Sequence, residues 1–357
     1  MSTGCSVGTR RLFLLRSLRG LALATALLSL IAFLVFGPGR VLPETHGGVV
    51  RIDVEGGPPQ EIVFGEGAAW VLVGGIATAP ATPDFVVWRI DANTDAADPL
   101  PATQGANWVA VGEGAAWVSV CRKQGEHGMC TAASLKLDPD SGATVAEVPI
   151  LGDPLEVSLA SGAVWVTVNH GSDQQMLVID PETARVTHRF PENGDQVIDS
   201  GGSVWLLGSN PGHVARIDPG TGAVLDETGV RDACTIATSG AVLWVATCGL
   251  DDHLVRIDPR SGAINGQNPR AFGSLLWDGH RMRVVSYGDS GSTFAVSRID
   301  PTDGHVIGVG YVEAGEEQRF SYRGFGSPNV FAALGDGSLW ISDFEAGQIV
   351  RVLPGRF

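Results

Sequence analysis

Residues 214–224 read Val-Ala-Arg-Ile-Asp-Pro-Gly-Thr-Gly-Ala-Val, VARIDPGTGAV, and near-copies of this stretch recur along the chain. Aligned on its aspartate they fall at Asp53, Asp91, Asp138, Asp180, Asp218, Asp258 and Asp300, with spacings of 38, 47, 42, 38, 40 and 42 residues. A second landmark, of the form GAVWV, precedes the aspartate at Trp70, Trp117, Trp165, Trp205, Trp244 and Trp340. Between the last two, GHRMRVV around Met282 fills the place without a tryptophan.

Each unit alternates apolar and polar residues between Gly, Asp-Pro and Thr-Gly signals, the pattern of short strands joined by hairpins. A period near 40 residues with about four strands per unit predicts an all-β, seven-bladed β-propeller. With strands A to D counted outward from the axis, the blade around Trp205 reads A at 196–200, B at 204–207, C at 214–218 and D at 223–227. The chain opens on Gly48-Val-Val-Arg-Ile-Asp53 and ends after Gln348-Ile-Val-Arg-Val352, so residues 48–54 are expected to complete the last blade against 348–352. In this frame Asp218 bonds the backbone ahead of it, Pro219 pre-sets φ and Gly222 supplies φ > 0, which makes D-P-x-T-G a C-to-D corner. Equivalent aspartates in equivalent corners form no reaction centre. The tryptophans, fixed on each B strand, are expected to wedge between blades.

The repeat form GAVWV…RIDPxTGxV resembles that of the YVTN-type and virginiamycin B lyase-like propellers, over about residues 46–357. The resemblance implies a seven-bladed ring and, for the lyase branch, an elimination activity. That branch carries an aromatic pair followed by Thr-Glu on the B strand, where this chain has WVTV, WVSV and WLLG. No catalytic residue of the branch maps onto a numbered position here.

Residues 1–40 hold five arginines and no acidic side chain, leaving 19 basic against 39 acidic side chains in residues 41–357. That charge repels nucleic acid and favours cationic ligands or metal ions. Gly20 to Phe36 is an uncharged apolar run of 17 residues, close to the lower limit for spanning a bilayer. The arginines before it predict a cytoplasmic N-terminus, and no A-x-A site follows it, so residues 20–36 are read as an uncleaved transmembrane signal anchor. Thr9-Arg-Arg-Leu-Phe-Leu14 also has the form of a twin-arginine export signal. The expected organisation is a cytoplasmic basic segment at 1–19, the anchor at 20–36, a linker at 37–47 and an extracytoplasmic propeller at 48–357. Cys121, Cys130, Cys234 and Cys248 then lie in an oxidising space without a C-x-x-C pair, which favours two bridges, 121 to 130 and 234 to 248.

In a propeller the D-to-A and B-to-C connections share the face around the mouth of the central channel, the default binding site. The candidate ligand-binding residues there are Asp153, Glu156, Asp195, Asp232, Arg270, Arg319 and Arg323, an acidic arc followed by a basic one. Opposed arcs suit a small polar or zwitterionic ligand or an envelope protein partner, and the acidic arc offers oxygen ligands to a divalent cation. His127, His170, His213 and His253 fall in successive B-to-C connections and are weighed as transition-metal ligands or a general base. No cofactor motif of the Walker or dinucleotide type is present. The reading is a non-enzymatic, membrane-anchored binding protein that works through the mouth rather than the hairpin face. The alternative is a metal-assisted lyase or hydrolase.

Overall fold

A computed structural model describes residues 44–46, 48–74, 85–124, 130–170, 173–191, 194–209, 212–247, 253–269, 273–287, 293–315 and 330–355. Glu44–Phe357 form one compact unit. The anchor at 20–36 lies outside the described residues, and among those described no helix is long and apolar enough to cross a membrane.

Seven antiparallel sheets make up the ring. The fourth blade, with strands Gln196–Ser200, Ser203–Ser209, Gly212–Ile217 and Val224–Gly229, matches the expected A to D order closely. The A strands of the seven blades neighbour one another in succession and so enclose the axis. Closure follows the expected route: Val49–Asp53 pairs with Gln348–Val352, Val49 opposite Val352 and Asp53 opposite Gln348. Glu44–His46, in the segment read as a linker, adds a further strand outside Val49–Asp53. The closing blade thus has five strands, the others four.

The six motif tryptophans are buried to 1% exposure or less. In the sixth blade the register puts Arg283, not Met282, in the tryptophan's place, since Trp244 lies opposite Arg256 and Arg283 opposite Arg298; Arg283 is buried and pairs with Asp278 at 2.7 Å. Each ring packs on the following blade: Trp117 lies among Val157, Val164 and Val166, and Trp340 among Ile62, Val71 and Ile90. The corners behave as the motif implies. Asp218 accepts bonds from the Gly220 and Thr221 amides at 3.0 and 2.8 Å and from the Thr221 hydroxyl at 2.9 Å. The Gly222 amide closes the turn on the Asp218 carbonyl at 2.8 Å, with φ of 70° at Gly222. These bonds, the Thr221 hydroxyl foremost, hold the Asp218 carboxyl below its ordinary range, and hydrogen bonds have the same effect at Asp138, Asp180, Asp258 and Asp300. The first aspartate departs from the pattern: Asp53 ends the closing strand and accepts from Gln348 at 2.9 Å.

The basic residue of the motif has a role the sequence did not announce. Projecting from a C strand, it reaches the corner carbonyl of the next blade: Arg89 to Pro139 and Lys136 to Pro181 at 2.7 Å, Arg216 to Arg260 at 2.9 Å and Arg351 to Ala92 at 2.6 Å. Arg256 bonds the Thr302 carbonyl in the same way. Three of these cations also stand over the B-strand tryptophan of their own blade, Arg89 at 5.9 Å, Lys136 at 5.8 Å and Arg351 at 4.6 Å from the ring centroid. The stretch that opens the sequence reading is therefore a strap, a strand and a corner in succession.

Candidate functional site: the carboxyl-lined channel

The A strands of four blades slip register near the mouth, between Pro59 and Ile62, Ala106 and Trp108, Pro154 and Val157, and Ala233 and Thr235. Such bulges re-aim side chains and are common beside binding sites. Two of them carry a glutamate in the same place, in Pro59-Gln-Glu61-Ile62 and Pro154-Leu-Glu156-Val157. Neighbouring blades hold these irregular segments. Asn107 donates to the Pro154 carbonyl at 2.7 Å, Ser342 to the Gln60 carbonyl at 2.5 Å, and Thr167 to the Gly194 carbonyl beside Asp195 at 2.8 Å.

Glu61 and Asp195 consequently both act on Glu156. Burial, reinforced by the charges of Glu61 and Asp195, drives the Glu156 carboxyl well above the usual carboxylate range, although the side chains of Gln196 and Ser158 bond to it. Burial raises Glu61 to about 8. Glu61 therefore holds a proton at neutral pH and presents a hydrogen-bond donor as well as an acceptor, and Glu156 is shifted in the same direction. The Gln196 carbonyl oxygen is occupied by the Ile236 amide at 3.2 Å, which turns its NH₂ to the acid. The Val197 amide donates to Ser158 at 3.2 Å. Blades one, three and four thus contribute to one polar, proton-bearing surface on the channel wall.

The structure brings together Glu156 and Asp195 from the acidic arc. Asp153 opens strand Asp153–Ala160 opposite Asn169, half-buried. Asp232 is exposed in the turn before Ala233–Thr238, with φ of 57°. Arg270, Arg319 and Arg323 lie outside the described residues, and the basic arc with them. Glu61 was missed by the sequence reading; its signal was the P-x-E-[IV] string shared by 59–62 and 154–157. Asp343 was missed too. It is 1% exposed, and burial raises its carboxyl above the ordinary value even though it accepts from the Gly315 amide at 2.6 Å and the Ala346 amide at 3.1 Å.

The histidines are not loop residues where they are described: His170 ends a B strand, His213 lies in a C strand and His253 opens one. His127 lies outside the described residues. Among those described, no group of three or more His, Cys, Asp or Glu side chains has the geometry to hold a metal ion. Cys121 and Cys234 are disulfide-bonded, while the Cys130 side chain and residue 248 lie outside the described residues. Cys234 occupies the bulge between the pairs Ala233 with Thr247 and Thr235 with Ala246.

This architecture defines a seven-bladed β-propeller with an acid-lined axial channel. No family model matches the chain, and no match was found among curated proteins. Solved structures share the fold. The WD40 domain of Neurospora crassa Pan2 is 12% identical with a TM-score of 0.59, covering 84% of this chain and 90% of that one. BamB from Moraxella catarrhalis is 13% identical with a TM-score of 0.51, covering 87% and 92%. A chain of a mitotic checkpoint complex is 10% identical with a TM-score of 0.61, covering 89% and 94%.

Proposed function

We propose that this protein is a non-enzymatic, membrane-anchored, extracytoplasmic propeller that binds a small polar ligand or an envelope protein through the mouth of its channel. The observation that carries this reading is the convergence of Glu61, Glu156 and Asp195 from three blades on one wall, set by bulges that neighbouring blades brace. The protonated Glu61 can donate to a carboxylate or carbonyl, and the carboxyl oxygens of Glu156 and Asp195 can accept from an ammonium, a donor set suited to a zwitterionic group. The apolar run at 20–36 supports anchoring, and the repeat form supports kinship with the YVTN-type propellers. A chain of a mitotic checkpoint complex shares the fold, in keeping with a role in binding a protein partner.

A panel of free amino acids and betaines, read by thermal shift against the full-length chain, tests the proposal. Stabilisation by a zwitterion that disappears in Glu156→Gln/Asp195→Asn, while the unliganded variant stays folded, supports it. A hit that persists in that variant, or a panel without a hit, counts against the mouth as the binding surface.

A further inference from the structure

Among the described residues, straps cross five of the seven junctions; the sixth blade keeps the basic residue, Arg298, without a bond to the next blade, and the third blade lacks the basic residue altogether. Where Arg89, Lys136, Arg216, Arg256 and Arg351 each reach the next blade, the third blade carries Val178. The change is two-sided. Opposite the strapping residues of blades one, two, four and five, the D strand carries Asp98, Ala146, Asp226 and Gly266. At Gly266 a Cβ would stand 2.5 Å from the Arg256 guanidinium nitrogens, so the strap takes the space a larger side chain would need. In the third blade the order of sizes is reversed, with Val178 opposite His188.

The outcome is a cleft of about 480 Å³ on the hairpin face, lined among others by Glu113, Trp165, Val178, Glu182, His188 and Pro219. It is remote from the mouth, since its walls are A-to-B turns and C-to-D corners. Phe190 fills the inner part, 6.1 Å from Trp165 and directly under Gly222, which confines the open volume to the side of His188 and Pro219. Glu113 and Glu182 are exposed carboxylates on its rim. The lysine in the lining, Lys136, is already committed to the Pro181 carbonyl and the Trp117 face. No side chain among the described residues is found on the Pro219 or Gly220 carbonyls, which correspond to those the straps use elsewhere.

We propose that this cleft binds an alkylguanidinium or alkylammonium group supplied from outside the chain, in the place of the cation that the chain itself supplies at five other junctions. The corner carbonyls of Pro219 and Gly220 accept its N–H donors, and Glu113 and Glu182 add a field of the right sign. The same chemistry is offered by an arginine or lysine side chain of a polypeptide and by a free amine. This site is independent of the channel mouth and does not rest on the binding role proposed for it.

Saturation-transfer NMR on the methyl protons of N-methylguanidinium, with the full-length chain, tests the site. The expected result is saturable binding, on the order of millimolar for so small a group, with no signal from uncharged N-methylurea. Val178→Arg/His188→Gly rebuilds the strap and should abolish the signal while raising the melting temperature. Should that variant not fold, Glu113→Gln/Glu182→Gln should weaken binding at least threefold. The mouth variant Glu156→Gln/Asp195→Asn should retain it. Absence of saturable binding, equal binding of methylurea, survival of the signal in the strapped variant, or its loss in the mouth variant would each overturn the proposal. Competition of the bound probe by agmatine and by acetyl-Gly-Arg-Gly-amide then separates the sources: tenfold stronger displacement by the peptide assigns the cation to a protein partner, and the reverse assigns it to a free amine.

Discussion

The Arg351 guanidinium bonds the Ala92 carbonyl across the closing junction while its carbon stands 4.6 Å from the centre of the Trp340 ring. It also pairs with Asp95 at 2.5 Å and donates to Ser338 at 3.1 Å, and the residue is 6% exposed. Arg351→Ala should cost roughly 2–4 kcal/mol, since it removes charge-assisted bonds and leaves Asp95 without its partner. The matching change at the more open fourth junction, Arg216→Ala, should cost about 1 kcal/mol or less. Urea unfolding of the two variants checks the order.

Closure rests on a strand distant in sequence from its partner. Val50 and Ile52 are buried at 3% and 4% exposure, and their strand pairs along its whole length with Gln348–Val352. Deleting residues 46–54 exposes that edge and opens the core beneath it, so the melting temperature should fall and aggregation appear on heating. Unaltered thermal unfolding would show that the ring does not depend on this pairing.

The buried glutamates set a pH dependence of definite sign. A carboxyl whose folded pKa lies above its unfolded value contributes its full stability below the unfolded pKa, and that contribution is lost as pH rises through the folded one. For Glu61 the window runs from 4.5 to about 8, and Glu156 extends it in the same direction. Wild-type stability should therefore decline between pH 5 and pH 9. Glu61→Gln should raise the melting temperature at pH 9 by roughly 3–8 °C and change it little at pH 4. Scanning calorimetry at the two pH values decides the matter.

Residues 20–36 should keep the protein in the membrane with the propeller outside, given the arginine bias before them. Recovery of a soluble form whose N-terminus begins near residues 38–45 would show a cleaved signal peptide in place of an anchor.

Non-reducing peptide mapping of exported protein should recover Cys121 linked to Cys130 and Cys234 linked to Cys248. The first bridge closes a hairpin loop whose strands place Gln124 opposite Cys130. Each loop of this size should contribute on the order of 3 kcal/mol by chain entropy. Crossed pairing or four alkylatable thiols would refute the assignment.

The repeat made the ring legible because corner, wedge and closing strand each follow from residue type at fixed spacing: Asp218 from its turn chemistry, Trp205 from its place on a B strand, Val49–Asp53 from an orphaned strand pattern. The channel was legible only in part. Glu156 and Asp195 could be placed by topology alone, whereas Glu61 belongs to an A strand that periodicity reads as wall, and only its bulge turns it to the channel. Cys234 shows the same limit, because the bulge that carries it leaves no mark in the repeat spacing. The strapping role of Arg89 and its equivalents escaped for another reason: a side chain's partner on the next blade, some fifty residues on, leaves no mark in local spacing.

The straps all point one way round the ring, each from a blade to its successor, and the Leu353 amide meets the Gly48 carbonyl at 2.8 Å where the two ends of the propeller come together. Where the polypeptide begins is therefore incidental to the assembly. A circularly permuted chain, joined from Leu353 to Gly48 and cut instead at the corner around Gly220, would bring the Arg351 strap within one covalent run and leave the Arg216 strap to bridge the new ends.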